Sequence, residues 1–264
     1  MARNRKLTDW EKEWNLLRKR EEKWLTANQT PKQPIVNRML EGKVPPKLQE
    51  TLELAFLKAF ALVFEKGNSL LEHTFSPQEL QKQNQIDQFS AVLRRDRRSL
   101  KTFSQRSARS GTVNLALSGG EGLTLGALGV GIPDIPVFTA SVLRSLYEMA
   151  CHFGFSYDTP EERCFLLKLI EGAMSWGDEL SVCDHAINRF IDQPALPQHY
   201  DQKEQLAATA QALSRQLLYT KFLQGIPLVG VAGGAYDLVF LHRIQQYARM
   251  KYQRRLLLAQ LKKI

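Results

Sequence analysis

An all-α fold is what this sequence predicts, and three observations predict it. Nearly every segment between turns repeats its apolar residues at helical period, and no run alternates apolar with polar residues as a half-buried strand would. Capping boxes at Thr8 to Glu11 and Ser76 to Glu79, and a cap at Thr159 to Glu162, mark helix starts ahead of apolar runs. Two apolar stretches, Gly122 to Pro136 and Gly225 to Gly234, each combine a GxxxG step with a Gly-Ile-Pro triplet and read as glycine-rich helices or hairpins packed together.

The elements follow in order. Thr8 caps a helix to about Leu25, whose Trp10, Trp14, Leu17, Trp24 and Leu25 fall in one arc of about 100°. Ala27 to Pro34 reads as a loop and Ile35 to Leu40 as a short helical turn. Pro45-Pro46 opens a helix to about Lys66, buried along Leu48, Leu52, Phe56, Phe60 and Val63 and ended by Gly67. The helix capped at Ser76 runs on toward Ala108 and is broken by Gly111. Val137 to Phe153 form the next, and Thr159 caps another that Ser175-Trp176-Gly177 kinks or ends. Asp178 to Ile191, Asp201 to about Leu223, and Leu228 to about Lys262 complete the set, with Pro194 and Pro197 bracketing a polar loop.

A single domain over 1–264 is expected, with N-terminal helices in 8–110 and a glycine-rich helical core plus basic C-terminal helix in 111–264. At 264 residues and 44% hydrophobic composition the chain can bury a substantial core. The residues after Met1 are charged rather than apolar, so no secretory signal is read and a cytoplasmic location is expected. Cys151, Cys164 and Cys183, odd in number and without CxxC spacing, suit reduced core thiols.

In the first glycine stretch Gly119, Gly122, Gly126 and Gly129 lie within about 80° on a helix, leaving one bare face. Each glycine costs roughly 0.8–1 kcal/mol against alanine inside a helix, so close backbone approach or a lipid setting must compensate. Gly230, Gly233 and Gly234 repeat the pattern, and the two segments are expected to meet. Glu121 and Asp134 leave only twelve uncharged residues between them, too few to span a bilayer.

The net charge of +9 sits mainly in two blocks, each beside a glycine stretch. Arg94, Arg98, Lys101 and Arg109 share one helical face, and Arg243, Lys251, Arg255 and Lys262 share another. Both stripes are expected to face an anionic membrane surface, where each cation is worth about 1 kcal/mol near the headgroups. Nucleic acid is the rival for such charge, but aromatics are not interleaved with the bases of 94–109 and no recognition motif occurs, so none is expected.

Catalytic signatures are thin. Leu117-Ser-Gly-Gly-Glu121 mimics the signature loop of ATP-binding cassette ATPases, but the phosphate-cradling GxxxxGK[ST] loop is missing, as is a GxSxG elbow. Cys151-His152 and Cys183-Asp184-His185 lack a second pair at zinc spacing, so no metal or cofactor is expected. Glu121, Asp134 and Asp237 stand out as carboxylates within apolar surroundings, which need partners. Asp134, between Pro133 and Pro136, also fits a cap for a helix beginning at Ile135.

Taken in order, several of these pieces resemble the EcsC family of bacterial proteins. The resemblance lies in Ser118-Gly-Gly-x-Gly followed by Ile132-Pro-Asp-Ile-Pro136, in Ala150-Cys-His-Phe-Gly154, and in Asp158-Thr-Pro-Glu-Glu-Arg163. It continues through Ile226-Pro-Leu-Val-Gly230, Gly233-Gly234 and Ala248-Arg-Met-Lys-Tyr252-x-Arg254, covering roughly Trp10 to Leu256. Asp237 stands where a helix asparagine would be expected. The resemblance implies a helical protein without an established catalytic activity, named for an operon that encodes an ABC-type exporter linked to secretion and intramembrane proteolysis.

The expected function is therefore a non-catalytic accessory or regulatory protein, peripheral at the inner face of the membrane, with a membrane transporter or protease as partner. Two alternatives stay open: a membrane-proximal enzyme acting on lipid or peptide, with Glu121, Asp134 or His152 at its site, and a nucleic-acid-binding helical protein.

Overall fold

The computed structural model describes residues 8–31, 40, 42–65, 76–77, 79–82, 134–224 and 233–262. Among them every regular element is a helix: α1 (Asp9–Ala27), α2 (Pro46–Glu65), α3 (Asp134–His152), α4 (Pro160–Ala173), α5 (Gly177–Asp192), α6 (Gln202–Gln224) and α7 (Gly233–Leu261). The all-α expectation holds, and no helix among the described residues is long and apolar enough to cross a membrane. The contact between the two glycine-rich stretches, including Gly119, Gly122, Gly126, Gly129 and Gly230, lies outside the described residues.

Local chemistry sets the helix boundaries. At α1 the Thr8 hydroxyl accepts from the Glu11 amide (3.2 Å) while the Glu11 carboxylate accepts from the Thr8 amide (2.6 Å), completing the capping box. At α4 the Thr159 hydroxyl accepts from the Glu162 amide at 3.2 Å, with Pro160 in the first turn where its missing N–H is harmless. The same tolerance explains why α3 starts at Asp134 rather than at the expected Val137: Pro136 falls in the first turn, among amides that have no intrahelical partner anyway. Helix α4 ends before Ser175-Trp176-Gly177, as expected. Gly177 adopts φ +54° there and donates its amide to the Asn28 carbonyl at 3.0 Å, tying the α4–α5 corner to the end of α1.

Helix α7 is the spine. Its Ile244, Tyr247, Ala248, Tyr252 and Leu256 are buried at the three- and four-residue spacing of one helical face, and it packs against α1, α3, α4, α5 and α6. Helix α4 is apolar nearly all round, from Cys164 through Ile170 to Ala173, and is accordingly enclosed by α5, α6 and α7. Helix α2 buries Leu52, Phe56, Phe60 and Val63 against α3 and α6, the side expected from its period.

Pairings along the spine fix the helix directions. Trp14, Glu21, Trp24 and Asn28 meet Arg254, Lys251, Tyr247 and Arg243 in turn, so α1 runs antiparallel to α7. Glu162 meets Arg255 while the Ala173 carbonyl meets Arg243, so α4 is antiparallel as well. In contrast α3 runs parallel to α7. Phe138, in the second turn of α3, lies 6.0 Å from the Lys221 ammonium that pairs with Asp237 in the second turn of α7, while Phe153 beyond the far end of α3 stacks on Tyr252. The first turns of α3 and α7 and the last turn of α6 thus lie at the same end of the bundle.

Candidate functional site

Three of the four residues of the C-terminal basic stripe, Arg243, Lys251 and Arg255, are turned into the molecule, which corrects the expectation that they face a membrane. Lys251 has no exposed side-chain surface; its ammonium lies 2.9 Å from Glu21 of α1 and 2.8 Å from Asp184 of α5, and donates to Asn188 Oδ1 at 3.0 Å. Asp184 also accepts from the Tyr247 hydroxyl (2.7 Å) and from Asn188 Nδ2 (2.8 Å), and Arg254 closes the cluster on Glu21 at 2.8 Å. Burial, with the Asp184 charge adding to it, holds the Tyr247 hydroxyl well above the usual phenol range.

Arg255 is likewise turned inward. It pairs with buried Glu162 at 2.6 Å and lies 4.0 Å from the Phe155 ring centre, while the Tyr252 hydroxyl donates to the other Glu162 oxygen at 2.6 Å. Burial raises the Glu162 carboxyl above its ordinary value, and Arg255 and Tyr252 pull it partly back. Arg243 stacks 3.8 Å above the Trp176 ring and donates to the carbonyls of Ala173 and Ser175 and to Asn28 Oδ1. Desolvation brings its guanidinium down to about 10. Of the four stripe residues only Lys262 is exposed.

The physical reason is that a helical wheel records where the cations point but not what they meet. Their carboxylates come from α1, α4 and α5, up to 230 residues away in sequence. A buried ion pair is tolerated when its hydrogen bonds are satisfied, and each of these carboxylates has two or more donors.

Two surface features adjoin this interior. A half-open cleft of about 690 Å³ separates α1 from α5, with Glu21, Asp184 and Asn188 on its floor, Arg18, Lys19 and Glu22 on the α1 side and His185 on the α5 side. At the end where α3 and α7 begin, Val137 is 42% exposed, Leu238 65% and Val239 60%, and buried Lys221 pairs with half-buried Asp237. Gly233 and Gly234 open α7 at this end, and Asp134 opens α3.

His152 is 2% exposed, meets Phe153 edge-on and does not line the cleft. Asp134 is placed by its backbone alone. Glu121 and the stripe Arg94, Arg98, Lys101 and Arg109 lie outside the described residues. All three cysteines are free and buried, as expected, and burial pushes the thiols of Cys164 and Cys183 up to about 11 and about 12.

The network residues Glu21, Glu162, Asp184, Tyr247 and Tyr252 were not predicted. One signal was available: Glu13 and Glu21 sit one turn either side of Leu17 on its own face, and Asp184 and Asn188 share the face of Ile187 and Ile191 on α5. Carboxylates inside an apolar stripe call for cations on the helix opposite.

In comparison with known proteins, the model of the EcsC protein family matches residues 3–257. No curated protein and no solved structure matches the chain.

Proposed function

The chain belongs to the EcsC protein family, and from that premise we propose that it is a non-catalytic accessory or regulatory protein, peripheral at the inner face of a membrane with anionic lipid. It works there beside membrane machinery, a transporter of the ABC-exporter type or a protease, in protein secretion. The observation that carries this reading is the end of the bundle at which α3 and α7 begin. Their first described residues, 134 and 233, are each preceded in the chain by one of the two glycine-rich apolar stretches, so both stretches join the folded body at one end. Exposed Val137, Leu238 and Val239 lie at that same end. Monomeric surfaces scatter single apolar residues; adjacent ones beside two apolar segments favour a lipid contact.

With Lys251 and Arg255 committed to internal carboxylates and Arg243 to internal carbonyls, electrostatic attraction falls to Arg94, Arg98, Lys101 and Arg109, which precede the first glycine stretch. Flotation of the purified protein with neutral and acidic vesicles at low and high salt tests the reading. Recovery with acidic vesicles, weakened by salt, is expected. The combined change Val137→Asp, Leu238→Asp and Val239→Asp should lower binding by about tenfold or more, since each apolar side chain that enters the interface contributes roughly 1.5–3 kcal/mol. Equal recovery with neutral vesicles rejects the electrostatic part, and no recovery with either rejects direct lipid contact.

A further inference from the structure

The cleft between α1 and α5 has a floor and a rim of different chemistry. The floor is a charge-balanced cluster, in which the carboxylates of Glu21 and Asp184 are matched by Lys251 and Arg254. Lys251 directs its ammonium hydrogens at Glu21, Asp184 and Asn188 Oδ1, at 2.8–3.0 Å, so it has no donor left for a ligand. The acceptors are not used up. A carboxylate has about four lone-pair sites, of which Lys251 and Arg254 occupy two on Glu21, while Lys251, Tyr247 and Asn188 occupy three on Asp184. Asn188 keeps its second Nδ2 hydrogen. The rim carries surplus positive charge: Arg18 and Lys19 are exposed on α1, pair with no carboxylate among the described residues, and outnumber Glu22 there.

We propose that this cleft binds a phosphorylated polyol, its hydroxyls on the floor and its phosphate at Arg18 and Lys19. Hydroxyls suit the floor because each both donates and accepts, meeting the open lone pairs of Glu21 and Asp184 and the spare hydrogen of Asn188. An ammonium would also donate, but over a floor already balanced it would bring a charge without a counterpart. A phosphate suits the rim, where a guanidinium and an ammonium make charge-assisted hydrogen bonds to its oxygens. The volume of about 690 Å³ is that of a small-molecule site. Leu25 is the one aliphatic residue on its walls, so the cleft has no apolar bed for an acyl chain. The same chemistry occurs in a free polyol phosphate and in the glycerol phosphate headgroup of a lipid. The cleft shares no residue with the end bearing Val137, Leu238 and Val239, so this inference does not rest on the membrane reading.

The test is titration calorimetry on the full chain with glycerol phosphate and glucose phosphate as probes, against inorganic phosphate, glycerol and glucose. At least one polyol phosphate should bind about tenfold or more tightly than inorganic phosphate or its own parent polyol, because only it engages floor and rim together. The double change Arg18→Gln and Lys19→Gln, at exposed positions that leave the core intact, should weaken that binding by about tenfold or more. Hydrogen exchange of the wild-type protein locates the site without any variant: the bound probe should slow amides of α1 and α5 and leave α2 unchanged. A short-chain phosphatidylglycerol kept below its micelle concentration separates the sources. Binding at least as tight as that of glycerol phosphate assigns the site to a lipid headgroup, and weaker binding assigns it to the free compound. Inorganic phosphate binding as tightly as both polyol phosphates overturns the proposal, as do full binding by the double variant and no binding of either probe. Failure of vesicle flotation leaves these outcomes untouched.

Discussion

Lys251 shows what a single residue decides in this protein. Its ammonium is shared by carboxylates from two helices, and with Tyr247, Asn188 and Arg254 it closes a network without exposed side-chain area at its centre. Replacing Lys251 with Met keeps the volume and removes the charge, leaving Glu21 and Asp184 buried with too few donors. The expected loss is about 3–5 kcal/mol, the cost of breaking a buried ion pair from one side, read as a lower urea midpoint at pH 7. A loss below about 1 kcal/mol would place the cluster among pairs that water screens. The sequence showed Lys251 as one cation of a stripe. Its partners were invisible because nothing in a local window links residue 251 to residues 21 and 184.

Whole helices were far more legible than charges. The capping box at Thr8 and the Thr159 cap formed, and the apolar period of α2 picked out its buried side, because caps and period are local properties of the backbone. For α1 the period misled in part. The buried line runs through Glu13, Leu17 and Glu21, and the tryptophans sit along its edges, so a purely apolar stripe gave the wrong centre. The α4–α5 corner shows how elements are joined. Gly177 holds φ +54°, and a Cβ added there would lie 2.9 Å from the Gln29 carbonyl oxygen. Gly177→Ala should therefore cost about 1–3 kcal/mol from the left-handed backbone alone, with more from the clash. Comparing its thermal midpoint with that of Ala186→Gly, an exposed α5 position where only about 1 kcal/mol of helix propensity is lost, separates the corner from the helix.

At the scale of the molecule, protons held by the core set an upper pH limit. Burial raises Cys164 to about 11 and Cys183 and Tyr200 to about 12, and holds Tyr247 and Tyr252 well above the usual phenol range. Each folded value lies above its unfolded one, so the unfolded chain releases these protons first. The stability they contribute is intact below about 9, where unfolded thiols begin to ionise, and is lost as pH rises toward 12. The urea midpoint should fall steadily from about pH 9 to 11, and a flat profile would contradict the buried assignment of these groups. The all-helical class and the family were legible in the sequence, whereas the inward turn of α7 was not: it packs against five neighbouring helices at once, and its cations find carboxylates on α1, α4 and α5. That arrangement bears on how the protein is made. Every carboxylate that α7 satisfies, from Glu21 to Asp184, leaves the ribosome before Lys251, Tyr252 and Arg255 do, and until then has no counterpart. The chain must be synthesised past α7 before its core can close, and the waiting helices are the ones in which a chaperone would find most to hold.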